Sequence, residues 1–139
     1  RLSGTAPHRE EEPVITGVGS IPVPVTDLDR ALRFYRDTLG FVVREDRRMP
    51  DGTRRVAVAP AGAGPDVTLT LAPAAGDLPP ITGVALLTDD IHRTYATLRE
   101  RGVEFDDEPC MQDWGDWEAE FRDPDGNRFR LVQRSRRPH

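Results

Sequence analysis

Arg130 stands on the second arm of a hairpin-like stretch, FRDPDGNRFRLV, Phe121 to Val132, that turns at Asp123 to Gly126. A guanidinium is always charged and presents a planar fork of donors. It can close an ion pair with a neighbouring carboxylate, or hold a ligand's carboxylate or phosphate in bidentate fashion. Just upstream, MQDWGDWEAEF supplies candidates for both roles. Trp117, Ala119 and Phe121 alternate with Glu118 and Glu120, so an acidic side facing a cavity would bring Glu118 or Glu120 to Arg130. Those carboxylates could also serve as a general base, with Arg130 as electrostatic stabiliser. Trp114 and Trp117 are the only tryptophans. They either pack in a core or interface, or form an aromatic wall for a planar ligand, with Met111 as an adaptable neighbour. Asp113 and Asp116 add acidity to the same segment. His92 falls early in a helix and is expected to face solvent, and His8 and His139 lie in the tails. Cys110 has no histidine nearby in sequence to activate it. There is no glycine-rich phosphate loop and no GxSxG nucleophile turn.

Composition narrows the classes. A chain of 139 residues with 37% apolar and 31% charged residues fits one globular core. A formal charge of −5 argues against nucleic acid, since a short basic tail, Arg134, Arg136 and Arg137, does not make a basic face. No apolar run reaches the roughly 18 residues of a membrane span. A single cysteine cannot form an internal disulfide, which points to a reducing cytoplasm.

The elements that must position these side chains repeat. Val14 to Thr26 reads as a strand with Ile21, Val23 and Val25 on one face. Pro22 and Pro24 on the other face mark it as an edge. Asp27 caps a helix whose stripe is Leu28, Ala31, Leu32, Tyr35 and Leu39, and Gly40 stops it. Phe41 to Arg47 and Arg54 to Pro60 are strands around Asp51-Gly52, with either Arg54 or Arg55 pointing inward. Val67 to Ala72 is a fourth strand. After the connector PAAGDLPP the pattern restarts. Gly83 to Thr88 is a strand. Asp90 caps a helix carrying Ile91, Tyr95 and Leu98, which ends at Gly102. Val103 to Phe105, Trp114 to Phe121 and Arg128 to Gln133 are strands. Val25 and Thr88 stand 63 apart, Gly40 and Gly102 62 apart. The expected fold is therefore α+β, two tandem βαβββ modules forming a curved, cup-like mixed sheet with helices outside. Its parts are a tail at 1–13, a first module at 14–72, a linker at 73–81, a second module at 82–133 and a basic tail at 134–139.

VTDLDRALRFYRDTLGF, Val25 to Phe41, and the FRDPDGNRFRLV stretch resemble the vicinal oxygen chelate family of glyoxalases, bleomycin-resistance proteins and extradiol dioxygenases. The resembling positions are Val25, Asp27, Ala31, Phe34, Tyr35, Leu39, Gly40 and Phe41, and the turn Asp123 to Asn127. With the duplication, the resemblance covers about residues 14 to 133. It implies a cup in which metal-dependent members place one ligand on each of four strands, mostly histidines and carboxylates. Here those positions fall on Ser20, near Leu69 (or Thr68 or Thr70 with a one-residue slip), on Gly83 and on Arg130. None is a usual ligand for zinc, iron or manganese. A full structural zinc site provides roughly 10–16 kcal/mol of apparent binding. A divalent ion about 4 Å from a guanidinium is repelled by roughly 8 kcal/mol, twice the unit-charge value at an effective dielectric of 20.

The resemblance thus implies a metal-free protein, with no cofactor, that binds a small organic molecule in the cup for sequestration or resistance. Ser20, Leu69, Gly83, Arg130, Glu118, Glu120, Trp114, Trp117 and Met111 are its expected contacts. The alternative is a lyase- or dioxygenase-like enzyme that uses other ligands, or Glu118 or Glu120 as base; whether the chain is an enzyme stays open. The family also implies a two-fold homodimer.

Overall fold

The computed structural model describes residues 14–62, 67–73 and 79–135. Strand β1, Ser20–Val25, leads to helix α1, Leu28–Leu32, which continues as a π-helical segment, Arg33–Thr38. The Asp27 side chain accepts the Arg30 N–H at 3.1 Å, as its cap position requires. Ala31, Leu32 and Tyr35 form the buried stripe. Strands β2, Val42–Arg48, β3, Arg54–Ala59, and β4, Thr68–Pro73, complete the first unit. The second unit has β5, Val84–Leu87, and α2, Ile91–Glu100, capped by Asp90. It continues with β6, Glu104–Phe105, β7, Cys110–Met111, β8, Trp117–Arg122, and β9, Arg128–Gln133. Gly102, at φ 91°, ends the second helix in a backbone region open to glycine.

The mixed α+β class holds. The strands divide between two sheets, ordered β1-β4-β3-β2 and β5-β9-β8-β6, with β7 paired to β8. In each, the first strand runs parallel to the last and the remaining pairs are antiparallel. Both sheets end on their first strand. On β1, Pro22 and Pro24 lack the N–H groups needed to extend the ladder further. Two sequence expectations need correction. The strand expected from Val14 begins at Ser20; Val14 to Val18 lie outside the ladder, and Val14, Ile15 and Val18 are exposed. The strand expected from Trp114 begins at Trp117, because Asp113 to Gly115 form a turn to the unanticipated β7. The expected N-terminal tail, residues 74–78 of the linker and residues 136–139 lie outside the described residues.

One core serves both units. It gathers Val23, Val25, Val56, Val58 and Leu71 from the first with Ile91, Leu98, Phe121, Phe129 and Leu131 from the second. The Tyr35 ring meets Phe129 edge-on at 6.1 Å, and Phe129 stacks on Phe121 at 5.6 Å. Polar groups join the halves as well. The Tyr35 hydroxyl donates to Asp123 Oδ2 at 2.6 Å. Asn127, fully buried, donates through Nδ2 to Pro24 O and to Asp123 Oδ2, both at 2.8 Å, and accepts the Ile81 N–H at 2.9 Å. Asp125 Oδ1 accepts from Thr26 N and Oγ1 at 3.0 and 2.7 Å, and Arg30 pairs with it at 2.9 Å. The turn at 123–127 is therefore tight locally, through Asp123 Oδ1 accepting the Asp125 and Asn127 N–H groups, and also clasps β1 and the first helix. Burial first, and the adjacent Asp123 carboxylate second, hold the Tyr35 phenol far above its usual range.

Candidate functional site

Strand alternation decides what faces what. On β8 and β9, Ala119, Phe121, Phe129 and Leu131 enter the core. Glu118, Glu120 and Arg122 with Arg128 and Arg130 therefore occupy the opposite face. There the carboxylates and guanidiniums interleave. Arg130 Nη1 lies 3.6 Å from Glu118 Oε1, a loose pair outside hydrogen-bond range. Arg128 holds Asp106 at 2.7 Å and Glu120 at 3.4 Å, and Arg122 holds Asp106 at 2.9 Å. Although Glu120 is the register partner of Arg130, the guanidinium leans diagonally to Glu118. Arg130 Nε is buried and has no hydrogen-bond partner.

The same face continues onto β5, where Ala85 is the register partner of Arg130 and Leu87 is exposed. A cavity of about 600 Å3 opens there, between β5 and the starts of β1 and β4. Its lining is mainly apolar: Ile21, Val67, Leu69, Ala85 and Leu87 take part, with Thr68. Such a volume and lining suit a drug-sized organic molecule.

The sequence-derived contacts separate on this geometry. Glu118, Glu120 and Arg130 share a face. Trp117 does not share it: it packs edge-on against His92 of α2 at 4.7 Å, on the helix side of β8. Met111, the register partner of Trp117, sits on that side too, at the exposed β7 end. Trp114 is exposed in the β7–β8 turn. Placing Trp117 with Glu118 is corrected by period two, since neighbours on one strand point to opposite faces, and the register carries Met111 with Trp117. His92 is exposed, as expected, but carries the Trp117 contact. Leu69 is a core residue that shows one side to the cavity, while Thr68 and Thr70 occupy the opposite strand face. Ser20 and Gly83 are exposed and precede or open β1 and β5. The Arg54/Arg55 ambiguity also resolves. Arg54 turns to Asp46 and Asp29 at 2.9 and 2.8 Å, on the α1 side. Arg55 meets Glu45 at 3.0 Å, and Glu45 also takes Arg47 at 2.8 Å. The cavity residues Val67, Ala85 and Leu87 escaped sequence reasoning because nothing local marks an apolar strand residue as uncovered.

The metal positions implied by the resemblance do not fit a metal. Serine, threonine or leucine, glycine and arginine supply no usual donor set, and the guanidinium repels a cation. Among the described residues, no group of three or more His, Cys, Asp or Glu is placed to hold a metal ion.

Residues 17–131 match the family model described as Glyoxalase/Bleomycin resistance protein/Dioxygenase superfamily. The protein YetH of Bacillus subtilis (strain 168) is 32% identical over 123 residues, 86% of this chain and all of YetH. A solved member of the same superfamily from Sphaerobacter thermophilus DSM 20745 is 38% identical, with a TM-score of 0.79 over 86% of this chain and 98% of that one. TnmS3, an antibiotic binding protein from Streptomyces sp. CB03234, is 40% identical, with a TM-score of 0.78 over 89% of this chain and all of that one.

Proposed function

This chain belongs to the glyoxalase/bleomycin resistance protein/dioxygenase superfamily, and from that premise we propose that it is a metal-free binder of a small organic molecule, of the sequestering or resistance type. The observation that carries the reading is Arg130, a guanidinium paired with Glu118 at the position the resemblance gives to a metal ligand. Beside it lies an apolar cavity able to take the body of a ligand. The likeness to an antibiotic binding protein at 40% identity supports holding a molecule over converting it. A base role for Glu118 or Glu120 has less support, because both carboxylates lie against arginines, at 3.6 and 3.4 Å.

The binder acts as a homodimer in this reading. Val14, Ile15 and Val18 are exposed apolar side chains that a second copy would cover. The lone, exposed Cys110 suits a reducing cytoplasm. Among the described residues no helix is long and apolar enough to cross a membrane.

The test is elemental analysis of protein purified without chelator, followed by calorimetric titration with a panel of polycyclic aromatic compounds. The expected result is metal far below one equivalent, together with saturable binding of a panel member that added zinc, manganese or iron does not strengthen. Stoichiometric metal that binding requires would overturn the proposal.

A further inference from the structure

We propose that the face bearing Arg130 selects organic anions, so that the ligand is a molecule with an apolar body and one acidic group, such as a carboxylate. This rests on the binding function proposed above and specifies its ligand class.

The argument is about depth rather than net charge. Three arginines and three carboxylates share the cluster, so their formal charges cancel. Their exposures do not match. The side chains of Arg122, Arg128 and Arg130 are 40, 42 and 42% exposed, whereas Glu118, Glu120 and Asp106 are 14, 35 and 20% exposed. The arginine side chains are the more exposed partners and the carboxylates the more buried ones, so the accessible part of the cluster is weighted toward arginine.

Of the three, Arg130 has the most donors left to give. Arg128 and Arg122 each hold Asp106 within hydrogen-bond distance, at 2.7 and 2.9 Å. The ion pair of Arg130 is the looser one at 3.6 Å. Its Nε is covered, so the donors available to a ligand are on the two Nη atoms, the fork that matches a carboxylate. Position completes the case. Arg130 lies one strand from Ala85, and neighbouring strands are about 4.8 Å apart. A ligand resting on Ala85 and Leu87 at the cavity would need an acidic substituent that crosses β9 to the guanidinium, which leans toward Glu118 on the far side. The more exposed arginines work against a cationic ligand.

The test is calorimetric titration of the full chain with 2-naphthoate and with its uncharged amide, 2-naphthamide, at low salt. The carboxylate is expected to bind about tenfold more tightly, the size of a modest charge-assisted contact. Arg130→Gln should bring the carboxylate-to-amide affinity ratio to about one, and Glu118→Gln should tighten the carboxylate by freeing the guanidinium. Equal affinities in the wild type, or a preference that survives Arg130→Gln, would overturn the anion anchor while the binding function stands. Loss of amide binding in Arg130→Gln, with the thermal transition unchanged, would also overturn it, since the arginine would then shape the cavity rather than read charge. A Glu118→Gln protein that binds the carboxylate no better would refute the recessed counter-ion. Binding of neither probe would overturn both the anchor and the binder.

Discussion

Replacing Asn127 by alanine tests whether the turn at 123–127 is a local hairpin or the clasp between the two halves. Asn127 is fully buried and its side chain holds Pro24 O at 2.8 Å, Asp123 Oδ2 at 2.8 Å and Ile81 N at 2.9 Å. Two of these partners lie more than 45 residues away in sequence. Truncation strips Pro24 O and Ile81 N, both partly buried, of these partners. Each buried group left unmade costs about 1–3 kcal/mol. Asp123 loses less, because Tyr35 still donates to the same oxygen. The expected total is about 3–4 kcal/mol, a large share of the roughly 5–15 kcal/mol that holds a domain together. For a chain of this length that is a fall of about 12–16 °C in the thermal transition, near 4 °C per kcal/mol. Urea unfolding followed by circular dichroism measures the free energy. Hydrogen exchange at the Ile81 amide, expected to lose protection beyond the global change, localises it. The exposed neighbour Pro124, changed to alanine, is the control and should move stability by less than about 1 kcal/mol. If Asn127→Ala costs no more than that control, the clasp contributes nothing beyond the turn and the reasoning fails.

Tyr35→Phe should remove an alkaline instability. The folded phenol is held above its unfolded value of about 10 by burial and then by Asp123, so its contribution is intact below about pH 10 and is lost as pH rises beyond it. The chain has no lysine to mask this limb, and between pH 10 and 11.5 the wild type should lose stability more steeply than the variant by about 1.4 kcal/mol per pH unit in urea titrations; parallel curves would refute the assignment. Leu71→Ala, in a nearly inaccessible core position, should cost about 2–5 kcal/mol by the same measurement, and a cost under 1 kcal/mol would contradict its place in the shared core. Acrylamide should quench Trp114 emission far more readily than Trp117 emission, so Trp114→Phe removes most of the quenchable signal; an unchanged quenching curve would reverse their placements.

Much of the architecture is written locally. Asp27 and Asp90 announce helix starts, Gly40 and Gly102 their ends, and period-two runs such as Val67 to Ala72 announce strands. These signals are legible because each arises among residues a few positions apart. The alternation in Trp117 to Phe121 also told which side chains travel together, which is why Glu118 and Glu120 could be matched to Arg130 in advance, though not which of the two would meet it. What alternation leaves undetermined is which of the two faces a helix covers. That depends on where α2 lands, and it sends Trp117 to His92 and Glu118 to Arg130.

The sequence by itself therefore determined the repeated unit and its caps and turns, since these follow from residue identity and short-range geometry. Only the tertiary structure decided the rest. It buried Glu118 more deeply than the Arg130 it faces, opened the cavity between β5 and the first sheet, and joined Tyr35 to Asp123 across 88 residues of chain. Depth and long-range pairing are properties of how faces pack against one another, and no local pattern of side chains carries them.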